Sequence, residues 1–182
     1  MIAGSAPAAG GTPLPPAAAP ADIVGISRGH PDAAAAEHWV ASLPVPPTMA
    51  CTHLVQDPYP HVAISLTGMD GALSPVDDPL RPAADAAAAA HRTRSSGRAF
   101  VYPGMERLVG TRTVAELLDI SAIDRVHVLG GTPVTPDTVV ETGDYVRPQW
   151  MGGLLTLVVT PVAGGRVAPF EVPHPTPCCA AH

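Results

Sequence analysis

The end of the chain, residues 174–182, places two adjacent cysteines between two histidines. Cysteine thiolates and histidine imidazoles are the ligands that zinc and other soft metals prefer. Prolines in and before this tail stiffen it, which lowers the entropy cost of holding the cysteines in one place. We therefore predict a metal site, with zinc as the expected ion, whose ligands are Cys178, Cys179, His182 and His174.

Two residues far from the tail could add to the same site. Cys51 and His53 are two positions apart, and on a strand such residues share one face. If that strand packs near the tail, a Cys-His site forms across the domain. The alternative is that these are separate features, with Cys51 a small buried hydrophobe and the tail exposed and inert.

The adjacent cysteines also suggest redox chemistry. A disulfide between Cys178 and Cys179 would close a strained ring, and strained disulfides are easily reduced. The tail is therefore interpreted either as a set of soft-metal ligands or as a thiol redox element. Two free thiols remain the simpler alternative to the redox element.

Two further functional interpretations remain open. One is a non-catalytic protein-interaction or homodimerisation module whose sheet presents an edge that carries Pro148 and Trp150. The other is a small-molecule enzyme that uses His127 with a nearby carboxylate, since such a pair is the minimum for acid–base catalysis. The candidate carboxylates, whose facing depends on the strand register, are Glu141, Asp144 and Glu171.

The composition excludes several other mechanisms. The chain has no lysine, and all 10 basic residues are arginine. Schiff-base catalysis and the lysine-containing phosphate loop of nucleotide-binding proteins are therefore excluded. A formal net charge of −6 argues against a nucleic-acid partner, because such binding depends on neutralising phosphates. The bias towards alanine and arginine is typical of a GC-rich bacterial genome.

We expect neither a membrane partner nor export. No stretch approaches the roughly 20 apolar residues that a membrane span requires. The first residues lack the positive charge and the apolar run of a secretory signal, and the chain has an odd number of cysteines, 3. These features favour a cytoplasmic location with reduced thiols.

The first half of the chain carries weak signals for ordered structure. Residues 1–21 are mostly alanine, proline and glycine, and we predict a disordered leader there. Residues 22–97 predict a loosely ordered or accessory segment, with a helix over about 31–43 and a strand over about 61–67. The alanine-rich run at residues 83–94 lacks a stripe of large apolar residues, so it predicts a surface helix at most.

Stronger signals follow in residues 98–182, which we predict to be the folded core with its Cys/His tail. Thr113 followed by Glu116 is a capping box, which predicts the start of a helix. Apolar runs separated by glycine turns predict hairpins at three places, Gly143-Asp144, Gly152-Gly153 and Gly164-Gly165. The predicted fold class is α+β, a small antiparallel β-meander covered by one or two helices.

Overall fold

The computed structural model describes residues 22–69, 79–131 and 133–173. The predicted leader, residues 1–21, lies outside the described residues, and so do the tail ligands His174, Cys178, Cys179 and His182. The described part contains three α-helices, one short 3-10 helix and ten strands.

Both halves of the chain contribute strands to one sheet. The elements of the first half are β1 (Val24–His30), α1 (Ala33–Ala41), β2 (Met49–Val55), β3 (His61–Thr67), α2 (Arg81–Arg92) and β4 (Arg98–Val101). Those of the second half are the 3-10 helix (Met105–Arg107), β5 (Thr111–Thr113), α3 (Val114–Ile120), β6 (Arg125–Val128), β7 (Val139–Glu141), β8 (Gln149–Met151), β9 (Leu154–Val162) and β10 (Arg166–Pro169). The strand order is β1-β3-β2-β4-β8-β9-β10-β7-β5, and β6 pairs with β9.

The fold combines helices with a mostly antiparallel sheet, in agreement with the predicted α+β class. Among the strands described, only β6 with β9 and β7 with β10 pair in parallel. The sheet is larger than the small meander that the glycine turns predict, because β1 to β4 extend it beyond the second half of the chain. Three α-helices accompany it in the described residues, whereas the predicted fold class has one or two helices covering the sheet.

Two of the three predicted glycine hairpins are confirmed, and the third is wrong. β8 and β9 pair around Gly152-Gly153, and β9 and β10 pair around Gly164-Gly165. The strands on either side of Gly143-Asp144 do not pair with each other, because β7 pairs with β5 and β10 instead. The turn is held by the Gly110 amide, which donates to the Asp144 carboxylate over 2.8 Å and draws the chain towards β5.

The capping box at the start of α3 is confirmed. The Glu116 amide donates to the Thr113 hydroxyl, and the Thr113 amide donates to the Glu116 carboxylate over 2.8 Å. These two bonds satisfy backbone groups that a helix start would otherwise leave without partners. The apolar side of the helix, Val114 and Leu117, packs in the core of the second half.

Strand β3 is buried on both faces, although its alternating sequence predicts one exposed face. All seven of its residues are buried. On one face Ile64 and Leu66 pack with the apolar side of α1. On the other face Ala63 packs with Ala83 and Ala87 of α2. Helices therefore cover both sides of the first-half sheet.

Helix α2 lies unusually close to the sheet because alanine and glycine form the contact. A methyl group added at Gly25 of β1 would stand 1.8 Å from the carbonyl oxygen of Ala84, so that position has no room for a side chain. The alanine-rich run is thus not a surface helix. A search for stripes of large apolar residues does not detect a stripe of alanines. Alanines pack by letting the helix backbone approach the strands, and they bury little side-chain volume.

Strand β8 lies inside the sheet, between β4 and β9. Trp150 is buried in the core of the second half. The predicted binding edge that carries Pro148 and Trp150 is therefore wrong as an edge. In the part of the chain that the structure describes, β1 and β5 are the outermost strands of the sheet order.

The two halves of the sheet meet where β4 and β8 pair, and the backbone pairing there is short. Arg98 and Gln149 are the paired residues. The Ala99 amide donates to the Pro148 carbonyl over 2.8 Å, and the Trp150 amide donates to the Gly97 carbonyl over 2.9 Å. Packing of side chains from both halves in one core supplements this pairing.

No helix among the described residues is long and apolar enough to cross a membrane.

The close packing of α2 predicts different effects for the same substitution on its two sides. Ala87→Leu adds volume where the helix contacts the sheet, and overpacking should lower the free energy of unfolding by about 1–3 kcal/mol or more. Ala86→Leu is the matched control, because Ala86 is exposed, and it should change stability by less than about 0.5 kcal/mol. Urea unfolding of both variants measures the difference. Equal stability of the two would contradict the described contact.

Candidate functional site

An open cleft lies on the second half of the sheet. Its volume is about 320 Å³. Strands β6, β8 and β9 and the segment after β10 supply its lining, which consists of His127, Leu129, Arg147, Gln149, Met151, Val158, Phe170 and Glu171. We call it the His127 cleft. Its mixture of apolar side chains with a few polar groups is typical of small-ligand sites.

The register of β6 brings His127 into this cleft. His127 is paired with Val158 of β9, while its neighbours Val126 and Val128 are buried on the opposite face of the strand. His127 itself is exposed. No hydrogen bond or ion pair engages its ring within the described residues, so the imidazole is free to meet a ligand.

The charged groups that line the cleft are already paired. The Arg147 guanidinium contacts the Glu37 carboxylate over 2.8 Å and lies 4.3 Å from the ring centre of Tyr145. The Arg98 guanidinium contacts Glu171 over 2.8 Å. The cleft therefore has no excess of charge, and an incoming ligand would have to compete with these ion pairs.

Of the predicted acid–base group, the cleft brings together His127 and Glu171. Glu141 forms an ion pair with Arg166 instead. The Asp144 carboxylate accepts a hydrogen bond from the Gly110 amide. The last two carboxylates thus have local structural partners and do not line the cleft.

The C-terminal tail begins at the edge of the His127 cleft. Glu171 lines the cleft, and Pro173 is the last described residue. His174 follows Glu171 by three residues, a reach of at most about 10 Å. Cys178 follows by seven residues, a reach of at most about 25 Å.

The other two predicted ligands lie elsewhere, in a buried polar cluster beneath α2. Cys51 and His53 lie on β2, and Cys51 is paired with Ser65 of β3. The Ser65 hydroxyl oxygen is 2.8 Å from Nε2 of His53 and 2.9 Å from Nδ1 of His91 on α2. We call Cys51, His53, Ser65 and His91 the Ser65 cluster. All four side chains are buried.

The two imidazoles of the Ser65 cluster must share one hydroxyl group. A serine hydroxyl has one proton to donate and two lone pairs to accept with. If Ser65 donates to one ring, the nitrogen of the other ring must donate to Ser65. The protonation of His53 is thereby linked to that of His91 through a single side chain.

Burial keeps the Ser65 cluster uncharged near neutral pH. Loss of hydration lowers the pKa of His53 to about 4, and the nearby His91 contributes to that decrease. Loss of hydration, with the charge of Arg94 adding to it, also lowers the pKa of His91. Burial raises the pKa of the Cys51 thiol to about 12, although the adjacent Trp150 and Ser65 side chains partly oppose this rise.

The neighbouring indole gives the Cys51 thiol only weak support. Trp150 Nε1 is buried and has no partner of hydrogen-bond geometry in the described residues. We therefore interpret its effect on the thiol as a weak electrostatic contact. A neutral thiol with pKa near 12 is a poor nucleophile and a poor metal ligand, because both roles need the thiolate.

The structure does not bring Cys51 and His53 to an evident metal centre. Within the described residues, no group of three or more histidine, cysteine, aspartate or glutamate side chains is arranged to hold a metal ion. The Nε2 atom of His53 is already engaged by Ser65. Any contribution of this pair to the tail remains a prediction.

Two members of the Ser65 cluster were missed in the sequence. Ser65 belongs to the small side of the alternation in β3, opposite Ile64 and Leu66, and small polar residues on a strand give no signal of a buried cluster. His91 follows the alanine stripe of α2 by four residues from Ala87, so helical spacing places both on one face. Recognising the alanine stripe as a packing surface would have found both residues.

The Ser65 cluster makes the stability of the protein sensitive to acid. The unfolded chain binds a proton on His53 near the ordinary histidine pKa of ~6.5, whereas the folded chain does so only near about 4. The stability that this low pKa of His53 contributes is fully present above about pH 6.5 and is lost as the pH falls towards 4. The free energy of unfolding should fall by roughly 2 kcal/mol between about pH 7 and pH 5 from this residue.

Urea unfolding at several pH values tests this expectation with two variants. His53→Gln keeps an amide that can bond to Ser65 but cannot take up the proton, so its pH profile should be flatter than that of the natural chain. His38→Gln, at an exposed position of α1, should follow the natural profile. The proposal is wrong if His53→Gln and the natural chain lose stability in parallel.

Comparisons with known proteins leave the function to be inferred from these side chains alone. No family model matches the chain, and no curated protein or solved structure matches it either.

Proposed function

We propose that the protein binds a soft metal such as zinc, or acts as a thiol redox element, through its C-terminal cysteines and histidines beside the His127 cleft. Cys178 and Cys179 supply the thiolates in this proposal, and His174 and His182 supply imidazoles. The supporting observation is that strand β10 ends at Pro169 and that Glu171, three residues before His174, lines a cleft that holds an exposed histidine.

His127 is a better partner for the tail than Cys51 and His53 are. Its imidazole is exposed and unengaged among the described residues, and it lines the same cleft as Glu171. Cys51 and His53 are buried beneath α2, so a ligand shared with them would have to displace the Ser65 hydrogen bonds. We therefore propose His127, rather than Cys51 and His53, as the partner of the tail in this site.

The thiol redox version of the proposal uses the same cysteines. An ordinary cysteine thiol, with a pKa of ~8.5, is more readily ionised than Cys51, whose pKa of about 12 keeps it protonated. Cys51 therefore acts as an internal control in either version. It should neither exchange with a disulfide nor bind metal while the protein is folded.

Metal content of untagged protein tests the leading proposal. The natural chain, purified without a histidine tag, should carry about one equivalent of zinc, because the thiolates dominate the affinity. The double variant Cys178→Ser, Cys179→Ser should lose nearly all of it. His127→Ala should weaken zinc binding about tenfold or more, in the range for loss of a supporting group. Elemental analysis and zinc titration measure these changes.

The matched control in that experiment is Cys51→Ala, which should keep the full zinc content. Equal zinc in the natural chain and the double cysteine variant would remove the metal proposal. Reversible formation of a disulfide between Cys178 and Cys179, seen by mass spectrometry in a zinc-free sample, would then support the redox version. If neither zinc nor a disulfide is found, both versions are wrong.

A second candidate is a small-molecule enzyme that uses His127 and Glu171 for acid–base chemistry. The observation in its favour is that both side chains line one cleft of a size suited to a small ligand. Glu171 is held by Arg98 over 2.8 Å, which orients its carboxylate. This function needs only the cleft and does not depend on the cysteines.

Blocking the cleft separates this candidate from the tail proposal. Small carboxylic acids and alcohols used as probes should shift backbone amide resonances of Gln149 and Val158 in the natural chain. Met151→Trp should fill the cleft and abolish these shifts without changing zinc content. Leu54→Trp, at a highly exposed position of β2, is the control and should leave the shifts unchanged. Absence of any shift in the natural chain would contradict the enzyme candidate.

The expectations about self-association, nucleic-acid binding and location are proposals as well. The predicted binding edge of the homodimerisation alternative lies inside the sheet. Sedimentation at several protein concentrations checks whether the protein nevertheless forms a dimer. The absence of a nucleic-acid partner and the cytoplasmic location also remain predictions.

A further inference from the structure

A second serine–histidine pair lies near the edge of the sheet, apart from the Ser65 cluster. The Ser27 hydroxyl oxygen of β1 is 2.8 Å from Nε2 of His61 on β3. The other ring nitrogen of His61, Nδ1, is 2.7 Å from the carbonyl oxygen of Tyr59. A serine, a histidine and a group that orients the histidine thus lie in one line of hydrogen bonds.

The proton positions in this line follow from the chemistry of the three groups. A carbonyl oxygen can only accept, so Nδ1 of His61 must carry the proton that bonds to Tyr59. In the neutral ring Nε2 then has a lone pair, and the Ser27 hydroxyl must donate to it. This is the proton arrangement of a nucleophilic serine with its general base.

The Ser65 cluster lacks this arrangement although it has the same residue types. Ser65 lies between two imidazoles, so its hydroxyl is not directed to a single base. It is also fully enclosed, with 0% of its surface exposed. Ser27 keeps 7% of its surface exposed and lies on the outermost strand of the described sheet. Ser27 is therefore the less enclosed serine of the two.

The backbone beside Ser27 departs from a regular strand. The register of β1 against β3 shifts between Ser27 and His30, which marks a bulge, and Gly29 has φ +71°. A methyl group added at Gly29 would stand 2.5 Å from the Tyr59 hydroxyl oxygen. Bulges of this kind are common next to active sites, because they redirect a side chain out of the strand pattern.

The Tyr59 side chain lies beside the pair on the surface. The Tyr59 ring lies 5.1 Å from the His61 ring, between centres, and is about half exposed. Because only 7% of the Ser27 surface is exposed, the geometry favours a small acyl group over a bulky one.

We propose that Ser27 is a nucleophile that His61 activates towards small acyl esters. Ser27 Oγ bonds to the ester carbonyl carbon while its proton passes to Nε2 of His61. The proton then moves to the leaving alkoxide as the bond from carbonyl carbon to alkoxy oxygen breaks, which gives acyl-serine and free alcohol. A solvent water later hydrolyses the acyl-serine and restores the hydroxyl.

Reaction of the full chain with p-nitrophenyl acetate tests this proposal. Peptide mapping by mass spectrometry should find one acetyl group on Ser27, and none on Ser65 in the same sample. Ser27→Ala should lose the modification. His61→Gln should slow acetylation of Ser27 about a hundredfold, the lower range for loss of a general base. Circular dichroism checks that each variant is folded.

Ser95→Ala is the matched control, because Ser95 is exposed and no histidine contacts its hydroxyl. It should leave the rate of Ser27 acetylation unchanged. An unmodified Ser27 in the folded natural chain would overturn the proposal without reference to any variant. Acetylation of Ser27 at the natural rate in folded His61→Gln would also overturn it, since the serine would then react without its base.

Discussion

The close contact between α2 and the sheet is the constraint on which the first half of the molecule depends. With no side chain at Gly25 and only methyl groups along one side of the helix, the helix backbone lies directly on the strands. This contact excludes water from the face of β3 that carries Ser65. Burial lowers the pKa of His53 there, whereas the Cys51 thiol, whose pKa burial raises, lies in the core that contains Trp150. A larger residue anywhere in the contact would admit water to the same place.

The polar residues of the protein consequently occupy two kinds of environment. Beneath α2 they are dry, uncharged and bonded to one another, which suits a role in holding the fold. On the second half of the sheet they line an open cleft, where His127 is exposed and Glu171 is fixed by Arg98. The Ser27–His61 pair is intermediate, since it is mostly buried but lies beside the outermost strand. The cleft and Ser27 are therefore less enclosed than the Ser65 cluster.

The sequence predicted local features better than it predicted their assembly. The capping box at Thr113 and the glycine turns of β8–β9–β10 depend on neighbouring residues, so their signals are complete in a short stretch. The pairing of β7 was mispredicted, because its partners come from distant parts of the chain. The sequence predicts a strand over about 61–67, but the covering of the second face of β3 could be predicted only by recognising the alanine stripe as a packing surface. For the candidate sites, the sequence indicated Cys51 and His53 as neighbours on one face, yet their burial and the presence of Ser65 and His91 depend on that same assembly.

The short pairing between β4 and β8 has a consequence for how the two halves behave together. Few backbone hydrogen bonds cross that junction, but two ion pairs do: Arg98 with Glu171, and Arg147 with Glu37. Both ion pairs involve residues of the His127 cleft. Because dissolved ions screen such pairs where they reach the surface, ionic strength acts on the junction and on the mouth of the cleft at once. The salt concentration of the solution thus affects both how firmly the two halves are joined and how easily a ligand reaches the cleft.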